Sequence, residues 1–224
     1  MIVAVDGPAA SGKGTLARAI ARHYGVPHLD TGLLYRAVAL CVARMELDPA
    51  VEADAVAACG FDEAVLADPA LREDATGRTA SIVSAHPLVR AALFQRQRRF
   101  AGQPGGAVLD GRDIGTVIAP EADAKLFVSA TPRIRAQRRH AELKGRGGPT
   151  GPGPTGFDPN GFDPISFDRV LADIRARDQR DSARAAAPLA MAADAVLLDT
   201  SFLSIEAAVR KALDLVEARL SARR

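Results

Sequence analysis

The stretch MIVAVDGPAASGKGTLARAIA, residues 1–21, decides the fold. Its first six residues form a short apolar run, which predicts a buried strand. A glycine-bounded loop follows, and apolar residues then recur at helical spacing over residues 16–21. Between strand and helix, the pattern Gly7-x-x-x-x-Gly12-Lys13 is typical of a loop whose backbone N–H groups hold phosphate. The sequence therefore predicts an anion site between the first strand and the first helix.

Further apolar runs of strand length occur at residues 107–110, 125–129 and 195–199, with helical patterns between them. Short buried strands that alternate with helices predict a parallel sheet with right-handed crossovers. Residues 50–100 are predicted to be largely helical, apart from a stretch rich in helix breakers at 68–77. The predicted fold class is α/β, a doubly wound parallel sheet with flanking helices.

Composition excludes several classes of protein. The net charge of +2 over 224 residues is too small to indicate a nucleic-acid partner. No apolar run approaches the ~20 residues that cross a bilayer, and the N-terminus lacks the basic region of a signal peptide. Only Cys41 and Cys59 are present, without metal-ligand spacing, and they are expected to be reduced. We therefore expect a cytoplasmic protein with no membrane partner.

Residues 145–164, GRGGPTGPGPTGFDPNGFDP, interrupt the regular pattern because they are rich in glycine and proline. Such a composition does not form a helix or a strand and predicts a surface loop or a disordered excursion. The segment lies between two arginine-bearing helical patterns. It is either an incidental insertion or the tip of a flap, and the sequence leaves both interpretations open.

Gly14 is unusual for a phosphate loop. Most such loops place a serine or threonine after the lysine, where its hydroxyl binds magnesium. Here the hydroxyl comes one residue later, at Thr15, and points about 100° further round the helix. Magnesium is therefore expected to depend more on the nucleotide phosphates, on water and on another side chain. The order GxxxxGKGT is typical of nucleoside monophosphate kinases, in which the phosphate of a second nucleotide uses part of this space.

Four further motifs accompany the loop: LDTGLLYRA (29–37), DGRDIGTVIAPEADAKLFVSA (110–130), RARDQRDSARAAAPL (175–189) and ADAVLLDTS (193–201). In content, order and spacing they resemble the signature blocks of the bacterial cytidylate kinase family, and the resemblance covers nearly the whole chain. It implies a P-loop nucleoside monophosphate kinase fold. It also implies transfer of a phosphoryl group from ATP, with Mg²⁺, to CMP or dCMP.

The resemblance also implies a single kinase domain with three parts. A core comprises roughly residues 1–45, 101–135 and 185–224, a small insert that binds the nucleoside monophosphate covers roughly 46–100, and a mobile lid covers roughly 136–184. Proteins of this fold are often monomers, and we expect a monomer here.

Roles for particular residues follow from the same resemblance. The expected ATP site consists of the loop and two lid arginines: Gly7, Pro8, Ala9, Ala10, Ser11, Gly12, Lys13, Gly14, Thr15, Arg138 and Arg139. The expected CMP site consists of Thr31, Tyr35, Arg36, Ser81, Arg90, Arg112, Asp113, Arg177, Asp181 and Arg184. The expected catalytic residues are Lys13, Arg36, Arg112 and Arg184, and indirect metal contacts are expected from Thr15 and Asp110.

The DGRD block follows an apolar run, so Asp110 resembles the acid that ends a strand beside a phosphate loop. Arg112 and Asp113 then fall at the carboxyl edge of the sheet, where open α/β folds bind ligands. By the resemblance, Asp113 accepts a hydrogen bond from the exocyclic amine of cytosine, and uracil has a carbonyl there instead. An Arg112–Asp113 ion pair on the surface is the alternative.

Arg177, Asp181 and Arg184 are spaced at i, i+4 and i+7, which puts them on one face of a predicted helix. From the residues alone, a solvated ion pair on that helix is the commoner interpretation. Similarly, Thr31 is either a helix cap or a ligand contact, and Tyr35 is either a core residue or a site residue.

Three alternative functions remain open. The chain resembles other small-molecule P-loop kinases in its loop, with UMP or another nucleoside monophosphate as acceptor. A nucleotide-binding switch protein is disfavoured because the guanine-reading NKxD motif is absent from the sequence. An RNA-binding module is disfavoured by the low net charge. The histidines at positions 23, 28, 86 and 140 are scattered along the sequence and predict no catalytic or metal-binding cluster.

Overall fold

The computed structural model of the protein describes residues 1–146 and 166–222. The strands within these ranges are β1 (Ile2–Asp6), β2 (His28–Asp30), β3 (Ala107–Gly111), β4 (Ala124–Ser129) and β5 (Val196–Asp199). They form one parallel sheet in the order β2-β3-β1-β4-β5. The predicted α/β class with a parallel sheet is confirmed, and the three later strands lie within one residue of their predicted bounds.

Helices cover both faces of the sheet at its central strand, β1. Val3 and Val5 pack in a core with α1 (Lys13–Tyr24) and α8 (Ile205–Ser221). Ala4 belongs to a second core with the end of α5 (Pro87–Ala101) and with a π-helical turn, Ile114–Ile118. Because alternate residues of a strand point to opposite faces, a strand covered on both sides is apolar throughout. This explains the unbroken run that opens the sequence.

Glycine sets both ends of α1. Gly12 precedes the helix with a φ of 92° and Gly25 follows it with a φ of 65°, both in the left-handed region. The backbone N–H of Gly25 donates to the carbonyl oxygens of Ala21 and Arg22, which closes the last turn. Strand, loop and helix therefore follow one another as predicted.

Residues 31–101 add a helical layer beyond β2, with its own apolar cluster around Leu34, Val38, Val83 and Leu93. The helices are α2 (Thr31–Arg44), α3 (Glu52–Ala57), α4 (Asp74–Val83) and α5, with 3₁₀ segments at Ala58–Gly60, Glu63–Ala67 and Pro69–Arg72. The helical prediction is confirmed in type. However, the stretch at 68–77, whose helix breakers were expected to interrupt the helices, is partly helical, because α4 begins at Asp74.

Two packed helices, α6 (Pro132–Arg146) and α7 (Phe167–Ala183), lie beyond the carboxyl end of β4. They meet through Ala136, Val170 and Ile174. Hydroxyl oxygens cap two of the helices: Thr131 accepts from the backbone N–H of Ile134 at the start of α6, and Ser204 from that of Ala207 at the start of α8. The predicted Gly/Pro-rich loop at 145–164 begins later than expected, because α6 continues to Arg146, and from residue 147 onward it lies outside the described residues. Across the described ranges, no helix combines the length and apolar character needed to cross a bilayer.

Candidate active site

The loop between β1 and α1 is folded so tightly that its first position admits only glycine. A Cβ on Gly7 would lie 2.1 Å from the carbonyl oxygen of Val128. Ala10 and Gly12 both have positive φ, 58° and 92°, a conformation that costs an alanine about 1–2 kcal/mol. Loops that combine right- and left-handed residues form backbone concavities that bind anions. The loop therefore has the conformation that a phosphate site requires.

Lys13, at the start of α1, is a partly buried cation. Its ammonium donates to the carbonyl oxygen of Pro8 at 3.3 Å. Burial, together with the positive charge of Arg112, lowers the pKa of Lys13 to about 8, against the opposing effect of Asp110 and Asp30. A lysine in this state gains strongly from a new anionic partner, so a phosphate placed beside it would stabilise its charged form.

Asp110, in β3, faces the first turn of α1. A Cβ on Gly14 would lie 3.6 Å from Oδ2 of Asp110, whereas Thr15 is exposed on the helix surface. Among residues 1–146 and 166–222, no three His, Cys, Asp or Glu side chains are placed to hold a metal ion together. Mg²⁺ usually keeps several waters and is bound through one or two carboxylates and the phosphates of a nucleotide. Asp110 fits that kind of site, a metal held mainly by water and nucleotide.

Asp30, at the end of β2, caps α2. Its Oδ1 accepts a hydrogen bond of 2.9 Å from the backbone N–H of Gly32. The interpretation of Thr31 as the cap is therefore wrong, because the helix already begins at Thr31. Instead, the Thr31 hydroxyl donates to the carbonyl oxygen of Asp110 at 2.8 Å. A Cβ on Gly111 would approach that hydroxyl to 2.6 Å, so glycine in the DGRD block keeps the strand ends together.

Arg36 lies one turn into α2 and reaches the helical layer. Its Nη1 donates to the carbonyl oxygens of Leu71, at 2.7 Å, and Glu73, at 3.2 Å. A Cβ on Gly77 would lie 2.8 Å from the guanidinium. Burial lowers the pKa of Arg36, and the nearby charge of Arg139 acts in the same direction. Carbonyl oxygens accept the hydrogen bonds of this partly buried cation, which leaves the rest of its guanidinium available to an anion.

Asp113 pairs with Arg90, and both side chains are buried. The alternative of an Arg112–Asp113 pair on the surface is therefore wrong. The Arg90 guanidinium lies 5.5 Å from the ring centre of Tyr35, a cation–π distance. Nearby in the cleft, the hydroxyl of Ser81 is buried without a hydrogen-bond partner among the described residues. Together these groups form a polar pocket with a flat aromatic wall.

Asp181, on α7, joins two arginines. Its Oδ2 accepts from Nε of Arg112 at 2.7 Å, and its Oδ1 from Nη2 of Arg184 at 2.5 Å. Burial alone would raise the pKa of Asp181, but the two arginines outweigh it and hold the pKa at about 2. The solvated pair expected from the sequence is thus wrong, since the network is buried and draws Arg112 from 69 residues away.

Arg177, on the same helix, is a cation whose charged form is destabilised by its surroundings. Burial lowers its pKa to about 10, and the charges of Arg112 and Arg36 add to the effect. Its Nε is buried with no hydrogen-bond acceptor among the described residues, as is Nε of Arg184. Because an unpaired buried donor costs about 1–3 kcal/mol, this end of the cleft is suited to an anionic ligand.

The two arginines of α6 point in different directions. Arg138 donates to the carbonyl oxygen of Ser11 at 3.3 Å and to the hydroxyl of Thr200 at 3.0 Å. Arg139 instead forms an ion pair of 2.9 Å with Asp74 on α4. The first arginine thus contacts the phosphate loop, and the second connects α6 to the helical layer.

Most of the residues proposed from the sequence line a single cleft. They are Ala9, Ala10, Lys13, Gly14, Thr31, Tyr35, Arg36, Ser81, Arg90, Asp110, Arg112, Asp113, Arg139, Arg177, Asp181 and Arg184. Thr15 and Arg138 are not part of this lining, and neither are Gly7, Pro8, Ser11 and Gly12. The individual roles of these residues stay predictions.

Asp6 is a structural group at the site that the sequence reasoning missed. Its carboxylate accepts from the backbone N–H groups of Ile114, at 2.8 Å, and Gly115, at 2.7 Å. Burial raises the pKa of Asp6 to about 7, although these two hydrogen bonds favour the charged form. The sequence signal was present, since an acid at the end of a fully apolar strand requires partners. It holds the turn that follows Arg112 and Asp113.

Arg135 was also missed. It donates to both carboxylate oxygens of Asp178, at 2.9 and 2.5 Å, and to the carbonyl oxygen of Ala9 at 3.1 Å. This buried contact ties α6, α7 and the phosphate loop together. In the sequence it was one arginine among many.

The sequence model of the family described as cytidylate kinase matches residues 3–218 of the chain. The chain belongs to the cytidylate kinase family. A cytidylate kinase from Xanthobacter autotrophicus is 57% identical over 224 residues, which is 100% of both chains. One from Methylobacterium sp. is 58% identical over 220 residues, which is 98% of each chain. The resemblance indicated by the five motifs is thereby confirmed.

A solved structure shares the fold at low sequence identity. The crystal structure of an uncharacterized protein from Eubacterium ventriosum has a TM-score of 0.52 to this chain and 15% identity, and the match covers 100% of this chain and 99% of the other. At this level of identity the likeness concerns the fold alone.

Proposed function

We propose that this member of the cytidylate kinase family transfers the γ-phosphoryl group of ATP to CMP or dCMP. One observation carries the proposal. Lys13 of the phosphate loop and the buried network of Arg112, Asp181 and Arg184 line the same cleft. Phosphoryl transfer needs donor and acceptor in line, with positive charge around the oxygens where negative charge develops. A phosphate loop that faces a cluster of arginines supplies both.

The donor site consists of the loop residues 7–15, with Lys13 beside the β- and γ-phosphates. Arg138, already in contact with Ser11, lies on the donor side of α6. Arg139 is proposed to approach ATP from the lid. Because the loop binds phosphate through backbone N–H groups and a helix N-terminus, it needs little rearrangement when ATP arrives.

The acceptor phosphate is proposed to lie among Arg36, Arg112, Arg177 and Arg184. Two buried Nε groups in this set, on Arg177 and Arg184, have no acceptor among the described residues. The phosphate of CMP is a nucleophile at neutral pH, so these residues bind and orient it and no general base is required. The proposed catalytic residues are those expected to surround the phosphoryl group during its transfer: Lys13, Arg36, Arg112 and Arg184.

The base is proposed to bind between Ser81, Arg90 and Asp113, with Tyr35 and Thr31 closing the pocket and Asp181 near the ribose. Arg90 orients the carboxylate of Asp113, which is proposed to accept from the 4-amino group of cytosine. Uracil has a carbonyl at that position, and two acceptors facing each other repel. The site therefore prefers cytosine to uracil.

Mg²⁺ fits this site as an ion held by the nucleotide phosphates and water, with Asp110 as a contact through water and Thr15 as a further indirect contact. When bound, the metal neutralises charge on the phosphates. Asp110 would orient a hydration water, since its Oδ2 faces the turn that carries Gly14.

The three-part organisation is proposed as a core at 1–45, 101–135 and 185–224, an insert at 46–100 and a lid at 136–184. The apolar cluster of α6 with α7 supports the lid, and the cluster of the helical layer packs the insert against α2 of the core. The ion pair between Arg139 and Asp74 joins lid to insert across the cleft. We further propose a monomer, since the cleft is built within one chain, and a reducing cytoplasm, since Cys41 and Cys59 are unbonded thiols.

The test is a coupled assay of ADP formation with CMP, dCMP, UMP and AMP as acceptors. CMP and dCMP are expected to give the highest kcat/KM. If UMP or AMP clearly outperforms CMP, the chain is another nucleoside monophosphate kinase. If ATP binds without transfer to any acceptor, a nucleotide-binding switch is the better account. RNA binding that falls steeply with salt and persists in Asp113→Ala would favour an RNA-binding module instead.

A further inference from the structure

His28 contacts the acid that faces the phosphate loop, although the histidines are scattered in the sequence. Its Nε2 lies 2.6 Å from Oδ1 of Asp110. The His28 side chain is 16% exposed and that of Asp110 is 3% exposed. A carboxylate buried to this degree requires hydrogen bonds to its oxygens. The imidazole N–H of His28 supplies one of them.

The strand register explains how this contact forms. β2 pairs with β3 so that Asp30 lies opposite Asp110 and His28 opposite Val108. Residues two apart on a strand share a face, so His28 and Asp30 both lie on the face that carries Asp110. Asp30 uses a carboxylate oxygen to cap α2 through Gly32. The His28 side chain therefore extends diagonally from β2 to β3, where it forms a hydrogen bond with Asp110.

The two oxygens of Asp110 have different surroundings. Oδ1 is held by His28, whereas Oδ2 is the oxygen nearer to Gly14, 3.6 Å from the position of a Cβ there against 4.0 Å for Oδ1. Holding one oxygen fixes the plane of the carboxylate and hence the direction of the other. Without the imidazole, Oδ1 would lose its hydrogen-bond donor in a buried site. The carboxylate would then rotate towards another donor.

We propose that His28 is a positioning residue for the metal site: it orients Asp110 so that Oδ2 meets the hydration shell of the Mg²⁺ that ATP carries. The inference rests on the proposed function, in which Asp110 contacts the metal through water. Residues that hold a metal-contacting carboxylate in place commonly contribute about 10- to 100-fold to metal affinity. For a contact made through water, a smaller effect of about three- to tenfold is expected.

The test measures the dissociation constant of ATP by calorimetry, once with Mg²⁺ and once with EDTA. In His28→Leu, the tightening of ATP binding by Mg²⁺ is expected to fall by about three- to tenfold, while the affinity for metal-free ATP is unchanged. His28→Gln is expected to restore the tightening, because its amide nitrogen reaches the position of Nε2. His23→Leu, an exposed histidine on α1, is the matched control and is expected to match the wild type.

Asp110→Asn separates the failure of this inference from the failure of the proposed metal contact. If Asp110→Asn loses the Mg²⁺ effect while His28→Leu keeps it, the role of His28 is wrong and the metal contact stands. If Asp110→Asn itself keeps the effect, the metal contact is wrong. In the double variant, His28→Leu is expected to add nothing to Asp110→Asn, and an additive loss would overturn the inference. If His28→Leu does not fold, His28→Asn, whose shorter amide does not reach Oδ1, decides in its place.

Discussion

The donor side and the acceptor side of the cleft are built in different ways. The donor side is built mainly from one stretch of nine residues, 7–15, whose backbone N–H groups are proposed to bind phosphate, and two arginines of α6 hold its carbonyl oxygens at Ala9 and Ser11. The acceptor side is a set of charged side chains from α2, α5, the end of β3 and α7. Its ion pairs join residues 23 and 69 positions apart.

This difference has an energetic consequence. A glycine loop that ends in a helix presents partial charges that are already desolvated and oriented when the protein folds. In a buried cluster of arginines and aspartates, the side chains hold one another in position through ion pairs. A buried charge left without a partner destabilises the folded protein. Substitutions on the donor side should therefore weaken mainly the interaction with ATP. Substitutions on the acceptor side should also lower the free energy of unfolding.

The largest effect is expected on the donor side, for Lys13→Met. Removal of the ammonium should lower kcat about 10³-fold, because its charge is applied to the phosphates in a desolvated site. Thermal stability should hold or rise, since a partly buried cation with a lowered pKa is removed. The measurement is steady-state kinetics with a melting curve. Lys211→Met, on the exposed face of α8, is the control, and equal losses in both variants would contradict the role of Lys13.

On the acceptor side, Asp181→Asn should lower kcat/KM for CMP about 100-fold and also destabilise the protein by about 3 kcal/mol. The reason is that Arg112 and Arg184 both lose their carboxylate in a buried site. Kinetics and denaturant unfolding measure the two effects. Asp173→Asn, on the same helix but outside the cleft lining, should change neither. Loss of activity at unchanged stability would show that the network is not a folding element.

A more selective effect is expected at the base. Asp113→Asn should reduce the preference for CMP over UMP about thirtyfold, since it replaces a charge-assisted hydrogen bond worth about 2 kcal/mol and adds an amide that donates to a carbonyl. The ratio of kcat/KM values for the two acceptors measures this preference. An unchanged ratio would move cytosine recognition to Ser81 or Arg90.

The smallest effect concerns the pH dependence of ATP binding. The pKa of Lys13 is about 8 without nucleotide, and phosphate raises it by favouring the charged form. ATP binding therefore takes up a proton above pH 8, and affinity should fall by at most tenfold per pH unit there. Calorimetry in buffers of different ionisation enthalpy detects the proton. Affinity that does not change up to pH 9.5 would contradict a lowered pKa.

The two sides also differed in how well the sequence predicted them. The loop, the strand before it and the helix after it were predicted because all three depend on neighbours along the chain. For Asp113, the sequence supplied the candidate residue but not its partner, Arg90. The cap of α2 was misplaced by one residue, since Asp30 and Thr31 are both good caps and only the fold shows where the helix begins.

By itself, the sequence determined the α/β class, the phosphate loop and the placement of Arg177 and Asp181 on one face of a helix. Patterns of two to four residues carry that information, because strand and helix periodicity and glycine conformation are local properties. Only the tertiary structure decided the pairings: Asp6 with the turn at Ile114, Arg112 with Asp181, and His28 with Asp110. Those contacts depend on strand order and register, which bring distant residues within hydrogen-bonding distance.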